Sequence, residues 1–273
     1  MKKIAVIPNY TKDTEYIYTK RLLAYLDGKA QVFMKEKDRI AGVSAEFVEG
    51  NVFENCDAAI VLGGDGTMIR VAEQASAKSI PVMGINLGKV GFLTEVETAD
   101  IETACERLLA DDFSVEERMM MEIVLESGDT FVALNDLVIY KNDGVMIETE
   151  IYAGESKTSE YMSDGIIIAT PTGSTGYSLS AGGPVADPAM SLFIATPICA
   201  HTLSARPMLM SQFKDITVKL LGKGGKSARL EVDGVNRSVI NSGETVTVRR
   251  AKRTFNTIKL GKQSFYYTMM AKL

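Results

Sequence analysis

The clearest indication of the fold comes from the segment Asp57-Ala-Ala-Ile-Val-Leu-Gly-Gly-Asp-Gly-Thr-Met-Ile-Arg70. Its first part, Ala58 to Leu62, is an apolar run typical of a parallel strand whose two faces are both covered. A glycine turn follows, and then a segment that predicts a helix from about Met68 to Ala77. A buried strand, a tight turn and a helix in this order are the repeating unit of an α/β fold with a parallel sheet.

The turn Gly63-Gly-Asp-Gly-Thr67 has the composition of a phosphate-binding site. Gly63, Gly64 and Gly66 allow close approach to the main chain because they lack a Cβ. We expect Thr67 to cap the following helix, whose free N–H groups and positive dipole end favour an anion. Asp65 would repel a phosphate there unless it holds a metal or accepts a proton from an attacking hydroxyl. The turn favours phosphoryl transfer, although an ordinary tight turn remains an alternative on local grounds.

The rest of the chain predicts two domains. Up to about residue 115 strands alternate with helices, with strands at 3–8, 31–34 and 80–86 and helices at 18–26 and 101–109. From there the period changes to two, and we expect strands at 131–140, 147–152, 165–170, 216–221, 229–232, 244–250 and 254–260. The prediction is an α/β N-terminal domain with a parallel sheet, residues 1–115, and an all-β sandwich-like C-terminal domain, residues 116–262. The tail, residues 263–273, carries Phe265, Tyr266, Met269, Met270 and Leu273 as one helical stripe and is expected to complete the first domain.

Composition excludes several classes of protein. The net charge of −5 argues against a nucleic-acid-binding surface, because no basic excess is present to neutralise phosphates. No apolar run approaches the roughly 20 residues that span a bilayer, so no membrane partner is expected. Three isolated cysteines without metal-ligand spacing favour a reducing cytoplasm.

A second polar constellation follows the apolar strand at 165–170. It reads Thr170-Pro-Thr-Gly-Ser-Thr-Gly-Tyr-Ser-Leu-Ser-Ala-Gly-Gly-Pro184 and offers hydroxyls, backbone N–H groups and one aromatic ring. The alternative is a Ser/Gly-rich linker, but linkers rarely follow a buried strand. Asn135-Asp136 is a third polar point. It favours a bulge or turn in a strand, yet such a pair can also hold vicinal ribose hydroxyls.

These three motifs, in this order, resemble the NAD kinase family, and the resemblance covers nearly the whole chain. It also includes the segments Asn86–Glu95, Arg118–Met121, His201–Pro207 and Asp233-Gly234. The resemblance implies a phosphofructokinase-like α/β domain and an enzyme that phosphorylates the 2′-hydroxyl of the adenosine ribose of NAD to make NADP. It also implies ATP as the phosphate donor, a divalent metal (Mg or Mn) with unassigned ligands, and a homodimer or homotetramer.

The resemblance implies roles for individual residues. Asp65 would be the catalytic acid/base, and Gly63, Gly64, Gly66 and Thr67 would line the phosphate-binding turn. The NAD-binding residues would be Asp65, Gly66, Arg70, Asn135, Asp136, Asp164, Thr175, Gly176, Tyr177, Ser178, Leu179 and Ser180. Met162, Gly176 and Val235 depart from the usual family pattern, and these departures bear on affinity and substrate preference rather than on the reaction.

Two alternatives differ from this function. A lipid kinase of the diacylglycerol or sphingosine type shares a similar glycine turn, but a lipid site should show an apolar channel in place of the polar 170–184 loop. A non-catalytic dinucleotide sensor would keep the pocket without turnover, but it has no need of a carboxylate such as Asp65 facing phosphates.

Overall fold

The computed structural model, which describes residues 1–88, 91–202, 204–261 and 264–272, divides the chain into two units. Unit 1 comprises Met1–Glu117 and Phe255–Leu273, and unit 2 comprises Arg118–Thr254. Leu273, the last member of the expected tail stripe, lies outside the described residues.

Unit 1 is built on a parallel sheet. Its strands are β1 (Lys2–Pro8), β2 (Ala30–Lys35), β3 (Glu46–Val48), β4 (Ala58–Gly63), β5 (Val82–Asn86) and β6 (Val96–Glu97). The order is β5-β4-β1-β2-β3, with β6 beside β5, and all these pairs are parallel. Pro8 pairs with Leu62 and Gly63 with Asn86, so the carboxyl ends of β1, β4 and β5 are neighbours. A ligand site at this edge is the usual arrangement in an open α/β sheet.

Helices cover both faces of this sheet. The helices of unit 1 are α1 (Ile17–Leu26), α2 (Asp65–Ala77), α3 (Ile101–Leu109) and, in the C-terminal tail, a helix at Phe265–Lys272, with short 3-10 turns at Thr14–Tyr16, Glu36–Asp38 and Thr98–Asp100. Met83 and Ile85 of β5 pack in one apolar cluster with residues of α1 and α3. Gly84, between them, points to the opposite face, where an added Cβ would lie 3.1 Å from the Met68 sulfur of α2.

Unit 2 contains two antiparallel sheets. The strands that follow are β7 (Ser114–Leu125), β8 (Thr130–Ala133), β9 (Asp136–Lys141), β10 (Ile147–Ala153), β11 (Ser156–Ser163), β12 (Gly165–Ala169), β13 (Leu192–Ile198), β14 (Met208–Ser211), β15 (Ile216–Leu221), β16 (Ser227–Val232), β17 (Val235–Asn241) and β18 (Thr245–Lys259). A 3-10 turn at Thr172–Thr175 leads into the short helix α4 (Tyr177–Ser180), and the tail helix is therefore α5 (Phe265–Lys272). Strands β7 and β18 each include a boundary between the units.

The two sheets of unit 2 share one apolar core. One sheet has the order β14-β13-β12-β9-β16-β17, and the other contains β11-β10-β15-β18 with β7 and β8. Ile139 and Phe193 from the first sheet pack in the same cluster as Val218 and Val248 from the second. The predicted fold class, an α/β N-terminal part with a parallel sheet and an all-β sandwich-like C-terminal part, is confirmed.

Several element boundaries differ from the prediction. The expected strands at 244–250 and 254–260 are the single strand β18, because the charged residues near Lys252 lie along a continuous strand. The expected strand at 131–140 is broken at Leu134-Asn135. Strands β11, β13, β14 and β17 were not predicted from the sequence; β11 is a polar edge strand, and β13 contains Pro197, which argues against a strand.

The tail forms a helix as the sequence predicts, but its expected apolar stripe is not its buried face. Tyr266 is 55% exposed and Met270 is 82% exposed, whereas Thr268 is buried. Among the described residues, no helix has the length and apolarity needed to cross a membrane.

Candidate functional site

The glycine turn after β4 passes directly into helix α2. Gly63 ends the strand and Gly64 is the N-cap, so the helix begins at Asp65. The expected capping role of Thr67 is wrong: no side-chain hydrogen bond caps α2, because Thr67 already lies in its first turn. A Cβ on Gly63 would lie 2.4 Å from Thr67 Oγ1, whereas a Cβ on Gly66 would meet nothing within 4 Å. Gly63 is therefore required by packing, and Gly66 faces open space.

Thr67 is instead the centre of a small polar cluster. Its hydroxyl accepts hydrogen bonds from Asn9 Nδ2 at 2.8 Å and from Arg70 Nη2 at 3.1 Å. The Asn9 main chain also donates to Leu62 O, which joins the end of β1 to the end of β4. Arg70, expected to bind the dinucleotide, is thereby brought to the glycine turn.

A lysine that sequence reasoning missed lies over the same turn. An added Cβ on Gly64 would lie 2.7 Å from Lys12 Nζ, and one on Gly88 would lie 3.6 Å from it. The loop that carries Lys12 is anchored by the buried carboxylate of Asp13, which accepts hydrogen bonds from the main chain and hydroxyl of Thr19. The sequence does place Lys12 just after β1. Because loops that follow neighbouring parallel strands meet at one edge of the sheet, this position could have indicated that Lys12 lies near the glycine turn.

Asp65 points towards the loop after β5. Its carboxylate accepts hydrogen bonds from the N–H groups of Phe92 at 2.8 Å, Leu93 at 3.0 Å and Thr94 at 3.3 Å. A Cβ on Gly91 would lie 2.2 Å from Asp65 Oδ1, so the carboxylate reaches these donors only past a glycine. The glycine turn and residues 91–94 after β5 therefore form one polar site in unit 1.

In unit 2, a second carboxylate shapes the Asn135-Asp136 turn. Asp233 accepts hydrogen bonds from the N–H groups of Leu134 and Asn135, both at 2.8 Å, and of Asp136 at 3.1 Å. Asp233 and Gly234 both have positive φ, 50° and 74°, as a two-residue hairpin of type I′ requires. The Asp-Gly pair predicts such a turn, but its contact with residues about 100 positions away is visible only in the fold.

Asp136 is buried near other acidic side chains. Its side chain is 6% exposed, and burial, together with the negative charges of Asp233 and Glu231, raises its pKa from 3.8 to about 7. Burial also raises the pKa of Asp233, although its three backbone hydrogen bonds oppose that effect. Near neutral pH, Asp136 is therefore divided between a form that accepts hydrogen bonds and one that also donates.

The Thr170 loop packs directly on the Asn135-Asp136 turn. Thr170 donates from its hydroxyl to Leu134 O at 2.6 Å and from its main chain to Asn135 O at 2.9 Å. An added Cβ on Gly173 would lie 2.1 Å from Asn135 O, whereas one on Gly176 would lie 3.5 Å from Asn135 Nδ2 and 3.9 Å from Asp136 Oδ2. The structure thus brings the second and third polar motifs together.

The remaining candidates on this loop differ in exposure. Tyr177 is 43% exposed and Ser180 is exposed, while Thr175 and Leu179 are half-buried. Ser178 is fully buried, and its hydroxyl lies 2.9 Å from Thr196 Oγ1. The Ser178 side chain therefore faces the protein interior.

Asp164 lies at the opposite end of the same pair of strands. Gly165 of β12 pairs with Tyr140 of β9, and Ala169 pairs with Asp136. The Asp164 carboxylate accepts a hydrogen bond from Lys141 Nζ at 2.6 Å, and this bond raises the pKa of the lysine. Five strand residues, Gly165 to Ala169, separate Asp164 from the end of the strands that carries Asp136, which corresponds to a distance of about 17 Å.

Comparison with protein families identifies both parts of the chain. Residues 15–113 match the model of the ATP-NAD kinase N-terminal domain, and residues 134–260 match that of the ATP-NAD kinase C-terminal domain. The NAD kinase of Acetivibrio thermocellus is 34% identical over 281 residues, covering 100% of this chain and 97% of the relative. The NAD kinase of Heliobacterium modesticaldum is 40% identical over 222 residues, covering 80% and 78%.

Solved structures share the fold. A yeast NADH kinase complexed with NADH has a TM-score of 0.91 at 19% identity, covering 98% of this chain and 86% of the other. An NAD kinase from Archaeoglobus fulgidus in complex with ATP has a TM-score of 0.80 at 24% identity, covering 99% and 98%. With relatives matched over the full length and family models over both parts, the chain belongs to the ATP-NAD kinase family.

Proposed function

We propose that this chain transfers the γ-phosphoryl group of ATP to the 2′-hydroxyl of the adenosine ribose of NAD, which makes NADP. The observation that carries the proposal is the placement of Asp65 at the start of α2, next to Gly64, over which Lys12 lies, and before Arg70, which donates to Thr67. A carboxylate among cations and glycine N–H groups suits a reaction in which a hydroxyl attacks a phosphate.

In this proposal, the polar site of unit 1 holds the phosphates of ATP. Gly63, Gly64, Gly66 and Thr67 form the turn, and the positive end of α2 favours phosphate oxygens. Lys12 adds a full positive charge over Gly64. Arg70 supplies a second cation, which the family resemblance associates with the dinucleotide.

The polar site of unit 2 holds NAD. Asn135 and Asp136 bind the vicinal hydroxyls of the adenosine ribose, and Gly176, whose added Cβ would lie 3.5 Å from Asn135 Nδ2, contacts the adenine beside them. Thr175, Tyr177, Leu179 and Ser180 contribute to the adenine contact, with the exposed Tyr177 ring available for stacking. Ser178 acts only by holding α4 through its hydrogen bond to Thr196. Asp164, about 17 Å along the strands, suits the nicotinamide-bearing half of an extended dinucleotide.

Asp65 acts as the catalytic acid/base. A ribose hydroxyl is a weak nucleophile, and a positioned base accelerates such a step by about 10²- to 10⁴-fold. We also propose a divalent cation, Mg or Mn, which would neutralise phosphate charge. Among the described residues no three His, Cys, Asp or Glu side chains group as a metal site. That finding suits a cation held mainly by substrate phosphates and one carboxylate, a role that Asp65 can fill.

The cellular compartment and the oligomeric state of the enzyme are also proposals. The three cysteines are free thiols, which suits a reducing cytoplasm. A homodimer or homotetramer is proposed from the family resemblance. Phe213, 87% exposed next to strand β14, offers apolar surface for such an assembly.

The function is tested by incubating the purified protein with NAD, ATP and magnesium and detecting NADP with an NADP-specific dehydrogenase. We expect signal from the wild type, a loss of about 10²-fold or more in Asp65→Asn, and full signal in Glu73→Gln, which removes a carboxylate from the exposed face of the same helix. Equal activity in Asp65→Asn would remove Asp65 as the acid/base. No NADP from the wild type would contradict the proposed function itself.

A further inference from the structure

The C-terminal helix brings a cation to the proposed catalytic carboxylate. Lys272, in the last turn of α5, places its Nζ 4.0 Å from Asp65 Oδ2. The same Nζ lies 4.5 Å from the centre of the Phe92 ring. Both side chains of the ion pair are 28% exposed, so the pair is partly shielded from water.

Phe92 links the two ends of α5 to Asp65. The ring of Phe265, the first residue of α5, lies 5.7 Å from the Phe92 ring. Residues seven apart on a helix lie on the same face, so Phe265 and Lys272 approach the Phe92 ring from one side of α5. The N–H group of Phe92 donates to Asp65 Oδ2, the oxygen nearest to Lys272. One carboxylate oxygen is therefore held by a main-chain donor and faces an ammonium group from the tail.

We propose that Lys272 is a positioning residue for Asp65, so that the C-terminal helix must be docked for the enzyme to turn over. This inference rests on the proposed function of Asp65. A carboxylate next to the phosphates of ATP is pushed away by like charge. The Lys272 ammonium offsets that repulsion and, together with the N–H donors of residues 92–94, keeps the carboxylate oriented for the attacking hydroxyl. At 4.0 Å the attraction is electrostatic rather than a hydrogen bond.

Steady-state kinetics of four variants test the proposal. Lys272→Met should lower kcat about tenfold, the effect of one lost charge interaction on a transition state, with the KM for NAD changed less than twofold. Lys272→Arg should recover most of the lost kcat because it keeps the charge. Lys214→Met, which removes an exposed lysine from unit 2, and Met270→Gln, on the exposed side of α5, should match the wild type.

A purely structural role for Lys272 and the absence of any role in turnover would give different results. If Lys272 only held the fold, Lys272→Met would lower the unfolding temperature and Lys272→Arg would not restore kcat. Wild-type kcat in Lys272→Met, or a change in KM alone, would also overturn the proposal.

NMR spectroscopy tests the contact between Lys272 and Asp65 independently of the reaction. The amide resonances of Leu93 and Thr94, whose N–H groups donate to Asp65 Oδ1, should shift in Lys272→Met and stay in place in Lys214→Met. Unchanged resonances would overturn the positioning role. If the wild type makes no NADP, the proposed function is contradicted. Shifted amide resonances would in that case show that Lys272 contacts Asp65 without serving this reaction, and that result would also overturn the proposal.

Discussion

At the scale of single residues, two carboxylates stand in opposite surroundings. Asp65 is partly exposed and its oxygens meet main-chain N–H groups and a lysine. Asp136 is buried beside Asp233 and Glu231, and its pKa is raised to about 7. Two carboxyl groups with such different environments suit two different tasks, proton transfer for Asp65 and hydrogen bonding to the ribose for Asp136.

The raised pKa of Asp136 predicts a pH-dependent stability. Because the pKa is higher in the folded protein than its ordinary value of 3.8, the native state binds this proton more tightly than the unfolded state. The stability contribution therefore falls as pH rises from about 4 to about 7 and is constant outside that window. Asp136→Asn removes the titration, so its free energy of unfolding relative to the wild type should rise across the window by up to about 4 kcal/mol.

Urea unfolding of both proteins at several pH values between 4 and 8 measures this difference. Asp143→Asn, an exposed aspartate in the same unit, controls for the loss of a carboxylate. A gap between Asp136→Asn and the wild type that stays constant with pH would show that Asp136 is not protonated near neutrality.

Lys12 predicts a selective effect on the phosphate donor. Lys12→Met should raise the KM for ATP about tenfold, because one charge contact with phosphate is worth roughly 1.5 kcal/mol, and should leave the KM for NAD within twofold. Lys20→Met, an exposed lysine on α1, is the matched control. An equal rise in both KM values would argue against a role specific to the donor.

The residues that the sequence revealed are those inside local motifs. Asp65 and the Asn135-Asp136 pair stand out because their neighbours have a recognisable order. Lys12 and Asp233 do not, because each reaches the site through the fold: Lys12 crosses from the loop after β1, and Asp233 bonds a turn about 100 residues away.

At the scale of elements, Gly173 and Gly176, two of the four glycines in the loop at residues 170–184, differ in how well they tolerate a side chain. Gly173→Ala would place a Cβ 2.1 Å from Asn135 O, a main-chain atom that cannot move without disturbing the turn. Gly176→Ala would place one 3.3 Å from Gly173 O and 3.5 Å from Asn135 Nδ2, a tight contact that a shift of a few tenths of an ångström would relieve. We expect Gly173→Ala to cost about 1–3 kcal/mol or more in stability and to raise the Kd for NAD at least tenfold.

Gly176→Ala is the matched control for that substitution. It should leave the Kd for NAD within about threefold and change stability by less than about 1 kcal/mol. Urea unfolding and calorimetric NAD titration measure both effects. Similar behaviour of the two variants would mean that the loop does not rest on Asn135 as described.

Strands were predicted correctly where a single feature of the sequence, such as an apolar run, was strong. The apolar run before Gly63 predicted β4, and the apolar run at 165–170 predicted β12. The prediction failed at β11, whose side chains are mostly polar, and at β13, where Pro197 lies in a strand buried on both faces. In these places pairing with neighbouring strands outweighs local preference.

At the scale of the whole molecule, the two units carry different parts of the chemistry. Unit 1 contains the glycine turn with Lys12 and Asp65, and unit 2 contains Asn135, Asp136 and the Thr170 loop. The alternation of strands and helices, followed by a period of two, was sufficient to predict the fold class. The sequence did not reveal that the C-terminal helix brings Lys272 to Asp65, because that contact joins residues about 200 positions apart.

The proposed reaction is tested by the position that the transferred phosphate takes on the dinucleotide. The wild type would be incubated with NAD and ATP labelled with ¹⁸O in the γ-phosphoryl group, and the product examined by phosphorus NMR and mass spectrometry. We expect a labelled phosphate monoester on the 2′-oxygen of the adenosine ribose, and we expect it to be absent in Asp65→Asn. Label at any other position of the dinucleotide, or only in free phosphate, would contradict the proposed reaction.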